Sequence, residues 1–294
     1  FYPNILQKKT RGPMSRKVKN SLFKSSVYLA SFLSISILLF LIITLISKGI
    51  NAVSWQFLTS ESSNFGSQGG IIYQIIGSLL LTLSAAIISF PLALGMAIYK
   101  SEYIKRNLFQ NITNTLIYSL NGIPSIIFGI FGLIFFVNIL NMGISWFVGG
   151  IILAIMILPT ITLSSYQSII SIPISYRENA ASLGLTKWQV IHTIVLPRAI
   201  SGGFTGLLIG LARAIGETAP IMFIATAFSG VTFPNSFLEP VSSLPTHILA
   251  LAQQATNLQA LQNAWGASLV LIILVFIFSI SALIRRIHYS KVNY

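Results

Sequence analysis

The hydrophobic positions of the chain fall into six long apolar runs separated by shorter polar stretches. A helix needs about 20 mostly apolar residues to cross the hydrocarbon core of a bilayer, and each run provides roughly that length. The first run is too long for the apolar core of a cleaved signal peptide and is predicted to be retained. The sequence therefore predicts an all-α integral membrane fold with six transmembrane helices. The predicted spans are residues 27–46, 70–99, 115–140, 144–163, 199–228 and 264–284.

Prolines interrupt the second, third, fourth and fifth predicted spans, at Pro91, Pro124, Pro159 and Pro220. A proline removes one backbone hydrogen bond and kinks its helix. In a bilayer the freed polar groups are tolerated only against other protein or a water-lined cavity. Four kinked helices in one bundle favour a translocation path over an inert membrane anchor.

The composition supports a membrane protein and excludes several kinds of site. The mean hydropathy is +0.82 and only 8% of residues are charged, against about 25% in soluble domains. Cysteine is absent and the three histidines lie far apart in the sequence, so we expect no disulfide framework and no metal cluster. A Walker A loop is also missing, so the chain does not bind ATP in that way. The sequence begins with Phe1, and Met14 is an alternative start.

Basic residues cluster on one side of the predicted topology. Six spans place both termini on the same side, and sixteen of the eighteen Lys and Arg residues fall on that side. Seven of them lie in residues 1–26, and the others are Lys100, Lys105, Arg106, Arg177, Lys187, Arg198, Arg285, Arg286 and Lys291. The positive-inside rule then predicts a multi-pass cell-membrane protein with both termini in the cytoplasm. We attribute the basic excess to this orientation and not to nucleic-acid binding.

The polar stretch between the fourth and fifth spans contains two helix-start signals. Residues 175–178 and 186–189 each fit a capping box, in which a Ser or Thr and the Glu or Gln three residues later satisfy each other's backbone N–H groups. Gly184 lies between them and can adopt the left-handed conformation that ends a helix. With Pro173 before and Pro197 after, the pattern predicts two short helices and a tight turn on the cytoplasmic face. An ordinary interfacial connector would have a similar composition.

Small and charged residues follow each other along one face of the fifth predicted span. Gly202, Gly206, Gly210, Arg213 and Glu217 are spaced by three or four residues, which places them on the same side of a helix. Glycines at this spacing allow a second helix to approach closely. Arg213 and Glu217 are four residues apart and can neutralise each other.

The Arg213–Glu217 pair is predicted to lie inside the membrane. If the helix enters the bilayer near Ser201, the pair lies roughly 20 Å deep at 1.5 Å per residue. Charged residues at that depth usually face the interior of a bundle and mark a substrate path. A guanidinium also matches the geometry of phosphate and carboxylate, so Arg213 is a candidate contact for an anion. The alternative is a structural salt bridge that locks two helices together.

A resemblance to a known family begins in the same polar stretch. The pattern Glu178-x-Ala180-x3-Gly184, followed by Ile194-x-Leu196-Pro197, resembles the EAA loop of permeases in bacterial ABC importers. In that family the loop is a coupling helix that docks into the ATPase subunit. The resemblance assigns this role to Glu178, Ala180, Gly184, Leu196 and Pro197. Asn179 stands where the family usually has its first alanine.

The run from Ala212 to Pro220, Ala-Arg-Ala-Ile-Gly-Glu-Thr-Ala-Pro, resembles the signature of PstA-type phosphate-transport permeases. Residues 70–79, 97–103, 122–129 and 264–267 agree with the same family, so the resemblance extends from about residue 70 to the end. It implies a permease, not an enzyme, that pairs with a PstC-like permease. It also implies a PstB-like ATPase dimer that binds the ATP, so that this chain holds no cofactor, and a PstS-like periplasmic phosphate-binding protein.

The resemblance divides the chain into four predicted parts. These are a basic cytoplasmic tail (1–26), a first helix with an outer loop (27–69), a permease core (70–286, with a coupling loop at 167–198) and a cytoplasmic tail (287–294). The outer loop 229–263 is a candidate dock for the binding protein. Permeases for sulfate, molybdate or phosphonate remain an alternative, although they lack the Arg213–Pro220 run. An ion-coupled secondary transporter is a further alternative, but it would need no coupling loop.

Overall fold

The computed structural model describes residues 13–104, 107–227, 233–254 and 256–291. Lys105, Arg106, the first twelve residues and the last three lie outside this range, as does part of the predicted outer loop 229–263. The side chains of Arg285, Arg286 and Lys291 also lie outside the described part of the chain. The chain forms two units, of which the first ends at Ser47 and the second begins at Lys48.

The first unit is dominated by a single long helix. Helix α1 spans Pro13–Gly49, and its last two residues belong to the second unit. The predicted first span, residues 27–46, lies entirely within it. The helix is long enough and apolar enough to cross a bilayer.

The second unit opens with a short helix and a small hairpin before its long helices. Helix α2 spans Trp55–Thr59, and strands β1 (Ser62–Ser63) and β2 (Gln68–Gly69) pair antiparallel around a 3₁₀ turn at Asn64–Gly66. The following elements are α3 (Ile72–Glu102), α4 (Asn107–Gly122), α5 (Ser125–Gly132) and a π-helical segment (Leu133–Ile139). The chain continues with α6 (Trp146–Ile170), α7 (Ile174–Ser182), α8 (Lys187–Val190) and a second π-helical segment (Ile191–Val195). The last elements are α9 (Leu196–Ala214), α10 (Ala219–Ile224), α11 (Leu244–Gln253) and α12 (Leu258–Lys291).

The described helices bear out the predicted all-α membrane fold. Five of them are long and apolar enough to span a bilayer, and α4 with α5 and its π-helical extension form a sixth, bent candidate. The membrane-length segments begin at Val18, Ile72, Trp146, Lys187 and Leu258. The prediction of six spans is therefore confirmed when the bent pair is counted as one.

The third predicted span is not a single run. Its helix begins at Asn107, well before the predicted start at residue 115. The predicted start was late because α4 mixes polar and apolar residues and has a weak hydrophobic signal. It ends at Gly122, and α5 departs at an angle of 91°. Pro124 is the N-cap of α5. A proline disfavours the helical conformation for the residue before it, which is consistent with a break at this position.

The fifth predicted span is also divided. Helix α9 ends at Ala214, residues 215–218 leave the helix, and α10 starts at Ala219 with Pro220 in its first turn. The expectation that Glu217 shares one helical face with the glycines and Arg213 was therefore wrong. By contrast, Pro91 and Pro159 lie inside the continuous helices α3 and α6.

The core of the second unit is formed where α3, α6 and α9 pack together. Small and branched apolar residues of the three helices pack against each other in this contact. The side chains that are almost fully buried include Leu81, Ala85, Ile152, Ile157, Ile161 and Leu211. Near one end of α3, Ser78 accepts a hydrogen bond from the Leu244 N–H of α11. At the other end, Glu102 forms an ion pair with Arg177 of α7. We call these two extremities of the second unit the α11 end and the α7 end.

Candidate functional site

Three glycines of α9 bring it into close contact with α6. A Cβ atom placed on Gly202 would lie 2.1 Å from the Ser168 Oγ, and one on Gly210 would lie 3.1 Å from the Ile157 Cβ. Between them, a Cβ on Gly206 would lie 2.6 Å from the Ser164 Cβ. The absent side chains are therefore what allows α6 to approach along this stripe.

Arg213 and Glu217 form an ion pair across the break between α9 and α10. The Arg213 Nε lies 3.5 Å from the Glu217 Oε1. Arg213 belongs to the last turn of α9, whereas Glu217 lies in the connection that follows. The pair therefore joins the end of one helix to the start of another, instead of following the surface of a single helix.

Asn121 is a second partner of Arg213 that sequence reasoning missed. The Arg213 Nη1 donates a hydrogen bond to the Asn121 Oδ1 at 3.4 Å. Asn121 lies in the last turn of α4, next to the break before α5. The guanidinium thus lies where two interrupted helices meet. The residues are 92 positions apart, so no local pattern in the sequence could have revealed the contact.

The ion pair lies near the centre of the bundle and is partly open. Gly210 packs against Ile157, which is close to the middle of α6, and Arg213 follows within one turn. The Arg213 side chain is 40% exposed in this chain and the Glu217 side chain is 15% exposed. A charged group at this depth is costly against lipid. The exposed part of the guanidinium must therefore face water, another protein surface or an anion.

Glu217 also borders a small internal cavity. Ser78 and Thr82 on α3 and Ser243 before α11 line it, together with mostly apolar residues of α3, α6, α9 and α10. Its volume is about 10 Å³, which is close to the space that one water molecule needs. The carboxylate therefore lies between a guanidinium on one side and this small cavity against α3 on the other.

The segment between α6 and α9 matches the sequence prediction in part. Thr186 and Gln189 form the predicted capping box, with a bond of 2.8 Å from the Thr186 N–H to the Gln189 Oε1. Gly184 has a φ of 78°, as predicted for a left-handed turn residue. The capping box predicted for residues 175–178 was wrong, because α7 begins earlier, at Ile174, with Pro173 as its N-cap and without a side-chain cap.

The second of the two predicted short helices is not separate. Helix α8 continues through the π-helical segment Ile191–Val195 into α9, so Leu196 and Pro197 lie within one continuous helical run. The expectation that Pro197 bounds the loop was therefore wrong. Pro197 has no N–H to donate to the preceding turn. The π-helical widening immediately before it is a common way to accommodate a missing bond.

The α7 end presents an exposed surface with large apolar side chains. Glu178 and Gly184 are exposed, whereas Ala180 is the buried residue of α7 and Leu196 is half-buried. The same stretch of chain carries four exposed apolar residues, Ile174, Tyr176, Leu183 and Trp188. Clustered exposed apolar side chains typically mark a protein–protein contact.

Comparison with known families identifies the type of protein. The model of the family described as "Binding-protein-dependent transport system inner membrane component" matches residues 89–292. The chain is 30% identical to the probable ABC transporter permease protein YqgI of Bacillus subtilis, covering 92% of this chain and 95% of that one. It is 32% identical to the phosphate transport system permease protein PstA of Pasteurella multocida, covering 91% and 94%. It is also 32% identical to a probable PstA of Methanocaldococcus jannaschii, covering 88% and 90%.

Solved structures with the same fold are subunits of transporters. The chain aligns with a TM-score of 0.64 and 18% identity to a bacterial alginate ABC transporter in complex with an alginate-bound periplasmic protein, covering 91% of this chain and 94% of that one. It aligns with a TM-score of 0.57 and 18% identity to the inward-facing MetNI methionine ABC transporter, covering 74% and 94%. At this level of identity the likeness concerns the fold alone.

Proposed function

The chain belongs to the family of binding-protein-dependent transport system inner membrane components, and we propose that it is a permease subunit of an ATP-driven importer of inorganic phosphate. The observation that carries this proposal is the partly exposed Arg213 guanidinium near the centre of the membrane bundle. Relatives named as PstA phosphate permeases, which match most of the chain, support phosphate as the substrate. The other oxyanions are not favoured by these relatives.

In this proposal, Arg213 contacts the anion as it passes. Its Nη atoms can donate to phosphate oxygens in a forked geometry, and in the described part of the chain one weak bond, to Asn121, occupies them. Glu217 contacts the guanidinium at its Nε atom. This contact leaves the edge formed by the two Nη atoms available to the anion. A negative substrate would then be attracted to the exposed edge of Arg213, while the nearby carboxylate limits how tightly it binds.

The exposed face of Arg213 implies a partner. A single chain leaves the guanidinium 40% exposed, and a lipid neighbour would be unfavourable at that depth. We propose that a PstC-like permease covers this face, so that phosphate crosses between the two subunits. A PstB-like ATPase dimer and a PstS-like periplasmic binding protein complete the importer. The family's description as a binding-protein-dependent transport system component supports a binding-protein partner.

The α7 end is proposed to face the cytoplasm and to bind the ATPase. Arg177, Lys187 and Arg198 lie at this end of the chain, which agrees with the positive-inside rule. The exposed Glu178, Leu183 and Trp188 would form the docking surface. In this orientation the termini are cytoplasmic, and ATP is bound only by the partner.

The α11 end is proposed to face the periplasm and to receive the binding protein. The predicted outer loop contains helix α11, which the sequence did not predict. Its start is fixed to α3 by a 2.8 Å bond from the Leu244 N–H to the Ser78 Oγ. Phe237 and Leu238 remain exposed beside it. Cross-linking that captured the binding protein only through residues 48–69 would contradict this assignment.

The proposal is tested by phosphate uptake in cells that carry Arg213→Ala. We expect uptake to fall by roughly 30-fold or more, the usual cost of truncating one member of a desolvated charge pair. The complex should still assemble and hydrolyse ATP. Arg198→Ala is the matched control, because Arg198 is an exposed arginine on the same helix, and its uptake should stay close to wild type.

The other outcomes separate the alternatives. Loss of subunit pairing or accumulation in Arg213→Ala would make the ion pair structural and remove the substrate contact. Unchanged uptake would contradict both roles. Uptake of labelled sulfate or molybdate by the wild-type transporter, without uptake of labelled phosphate, would assign it to a different oxyanion.

A further inference from the structure

We propose that Glu102 is a positioning residue that attaches residues 174–190, which include α7 and α8 and are called the α7 segment, to α3. Movement of this segment is then transmitted along α3 to the Arg213–Glu217 site. This inference rests on the proposed transport function. The family resemblance assigns a docking role to residues 178–197, but it does not say how the docked segment acts on the membrane helices. Two sets of contacts and one continuous helix supply that connection.

The first contact is an ion pair between the end of α3 and α7. The Arg177 Nη2 lies 3.0 Å from the Glu102 Oε1. The same guanidinium donates to the main-chain oxygens of Ile169 and Ile172, at 3.4 and 3.3 Å. Those oxygens lie at and just beyond the end of α6. Arg177 therefore joins α7 to the ends of both α3 and α6.

The second contact holds the other end of the segment. The Lys187 Nζ donates to the Glu102 main-chain oxygen at 2.8 Å. It also lies 3.6 Å from the centre of the Tyr103 ring, a distance at which a cation–π attraction is strong. Lys187 is the first residue of α8. The last turn of α3 thus contacts the segment at two points, Arg177 within α7 and Lys187 at the start of α8.

The ion pair is sheltered from solvent. The Glu102 side chain is 11% exposed and the Arg177 side chain is 26% exposed. Fully exposed ion pairs contribute little, because water screens them and both side chains stay mobile. A sheltered pair behaves differently, since removing one partner leaves a charge without compensation. The Glu102–Arg177 contact is therefore a fixed attachment and more than a passing surface contact.

Helix α3 connects this attachment to the Arg213–Glu217 site without interruption. It is one helix of 31 residues, and Pro91 does not break it. Thr82 lies twenty residues before Glu102, or about 30 Å away at 1.5 Å per residue. Thr82 and Ser78 line the cavity beside Glu217. Energetic coupling over such distances is carried by packed, rigid elements of this kind.

The first experiment compares Glu102→Ala, Arg177→Ala and the double variant in the complete transporter, reconstituted in vesicles. Phosphate uptake and ATP hydrolysis are measured together. We expect each single variant to lower the phosphate transported per ATP by roughly 2- to 30-fold, the range of coupling effects seen along such connections. The double variant should be no worse than the more affected single variant, because the two residues act as one attachment.

A matched control lies at the opposite end of the same helix. Glu61 accepts a 2.6 Å hydrogen bond from the hydroxyl group of Tyr73, in the first turn of α3. Glu61→Ala therefore also removes a carboxylate contact to α3, but one that is remote from the α7 segment. We expect its transport per ATP to stay at the wild-type value. Equal losses in Glu61→Ala and Glu102→Ala would overturn the proposal, as would a wild-type ratio in Glu102→Ala.

A second experiment does not depend on the transported substrate. The chain contains no cysteine, so Thr82→Cys introduces the only thiol of this subunit, beside the Glu217 cavity, and any cysteines of the partner subunits are replaced. Its labelling rate with a water-soluble maleimide is measured in the assembled complex, with and without ATP. We expect ATP to change the rate when Glu102 is present, and the change to be lost in Glu102→Ala while ATP binding persists. An ATP response that is the same with and without Glu102 would overturn the proposal.

The two experiments separate failure of this inference from failure of the proposed function. Absence of phosphate uptake by the wild-type complex would contradict the proposed substrate, and the labelling experiment would still test the attachment. Normal wild-type uptake with an unaltered ratio in Glu102→Ala would contradict the attachment alone.

Discussion

Gly206 of α9 lies directly against Ile161 of α6, with no side chain between the two backbones. A Cβ atom on Gly206 would be 3.0 Å from the Ile161 Cα and 2.6 Å from the Ser164 Cβ. Neither neighbour is the flexible end of a long side chain. We therefore expect Gly206→Ala to destabilise the protein by about 1–3 kcal/mol, the usual cost of overpacking a core. Thermal unfolding of the purified protein in detergent measures this loss.

Gly95 provides the control for that prediction. It lies within α3, and among the described residues no atom approaches within 4 Å of the position that its Cβ would occupy. Alanine at Gly95 should therefore leave the unfolding temperature unchanged or raise it, since alanine favours a helix by roughly 0.5–1 kcal/mol over glycine. Similar losses at the two glycines would mean that the α6–α9 contact does not limit the size of residue 206.

The turn at Gly184 should accept asparagine but not valine. Its φ of 78° lies in the left-handed region, which asparagine adopts more readily than other non-glycine residues and which a β-branched residue avoids. Gly184→Val is expected to strain the turn by about 1–2 kcal/mol and to weaken co-purification of the ATPase subunit. Gly184→Asn should retain it. No difference between the two variants would show that the conformation of the turn is unimportant for docking.

Exchanging the two charges of the central ion pair distinguishes an anion contact from a structural salt bridge. In the double variant Arg213→Glu with Glu217→Arg, the attraction remains, but the guanidinium moves across the break between α9 and α10. If Arg213 binds the anion, uptake should stay below about a tenth of wild type, because displacing a positioned group by an ångström can cost 100-fold. Uptake by the assembled transporter measures this. Full recovery of uptake would favour the structural role.

His247 makes the fold sensitive to mild acid. It lies in α11, and burial lowers its pKa from 6.5 to about 4. Below pH 6.5 the unfolded chain therefore binds a proton that the folded chain excludes, so the free energy of unfolding decreases as the pH falls from 6.5 towards about 4. The total loss is on the order of 3 kcal/mol. Thermal unfolding between pH 7 and pH 4 should record it.

Two variants check the origin of that acid sensitivity. His247→Gln should flatten the dependence over the same range, because glutamine does not titrate. His192→Asn should not change it, because His192 is exposed and packs only edge-on against Trp188 among its described ring contacts. An unchanged slope in His247→Gln would assign the acid sensitivity to another group.

The sequence predicted the number and type of the membrane helices well, because α3 and α6 are almost uniformly apolar and the hydrophobic signal alone defines them. It predicted their continuity poorly. Pro91, Pro124, Pro159 and Pro220 gave the same signal, yet only Pro124 and Pro220 lie at breaks. Each of these two follows a glycine by two to four residues. By contrast, neither Pro91 nor Pro159 has a glycine among the four residues before it.

The partners of the charged residues were harder to predict than the residues themselves. Arg213 and Arg177 attract attention in the sequence because charges are rare in it. Asn121 and Glu102, which contact them, are 92 and 75 positions away. Only the packing of the helices brings such pairs together, so no spacing rule could have identified them.

The glycine stripe has a mechanical consequence. Residues of α6 occupy the space beside Gly202, Gly206 and Gly210 of α9. Because α6 and α9 interlock in this way, they should move as one rigid body. Arg213 belongs to that body, but Glu217 lies beyond its end. The 3.5 Å separation between them therefore spans the break between α9 and α10, and any change in the angle between these two helices would change its length.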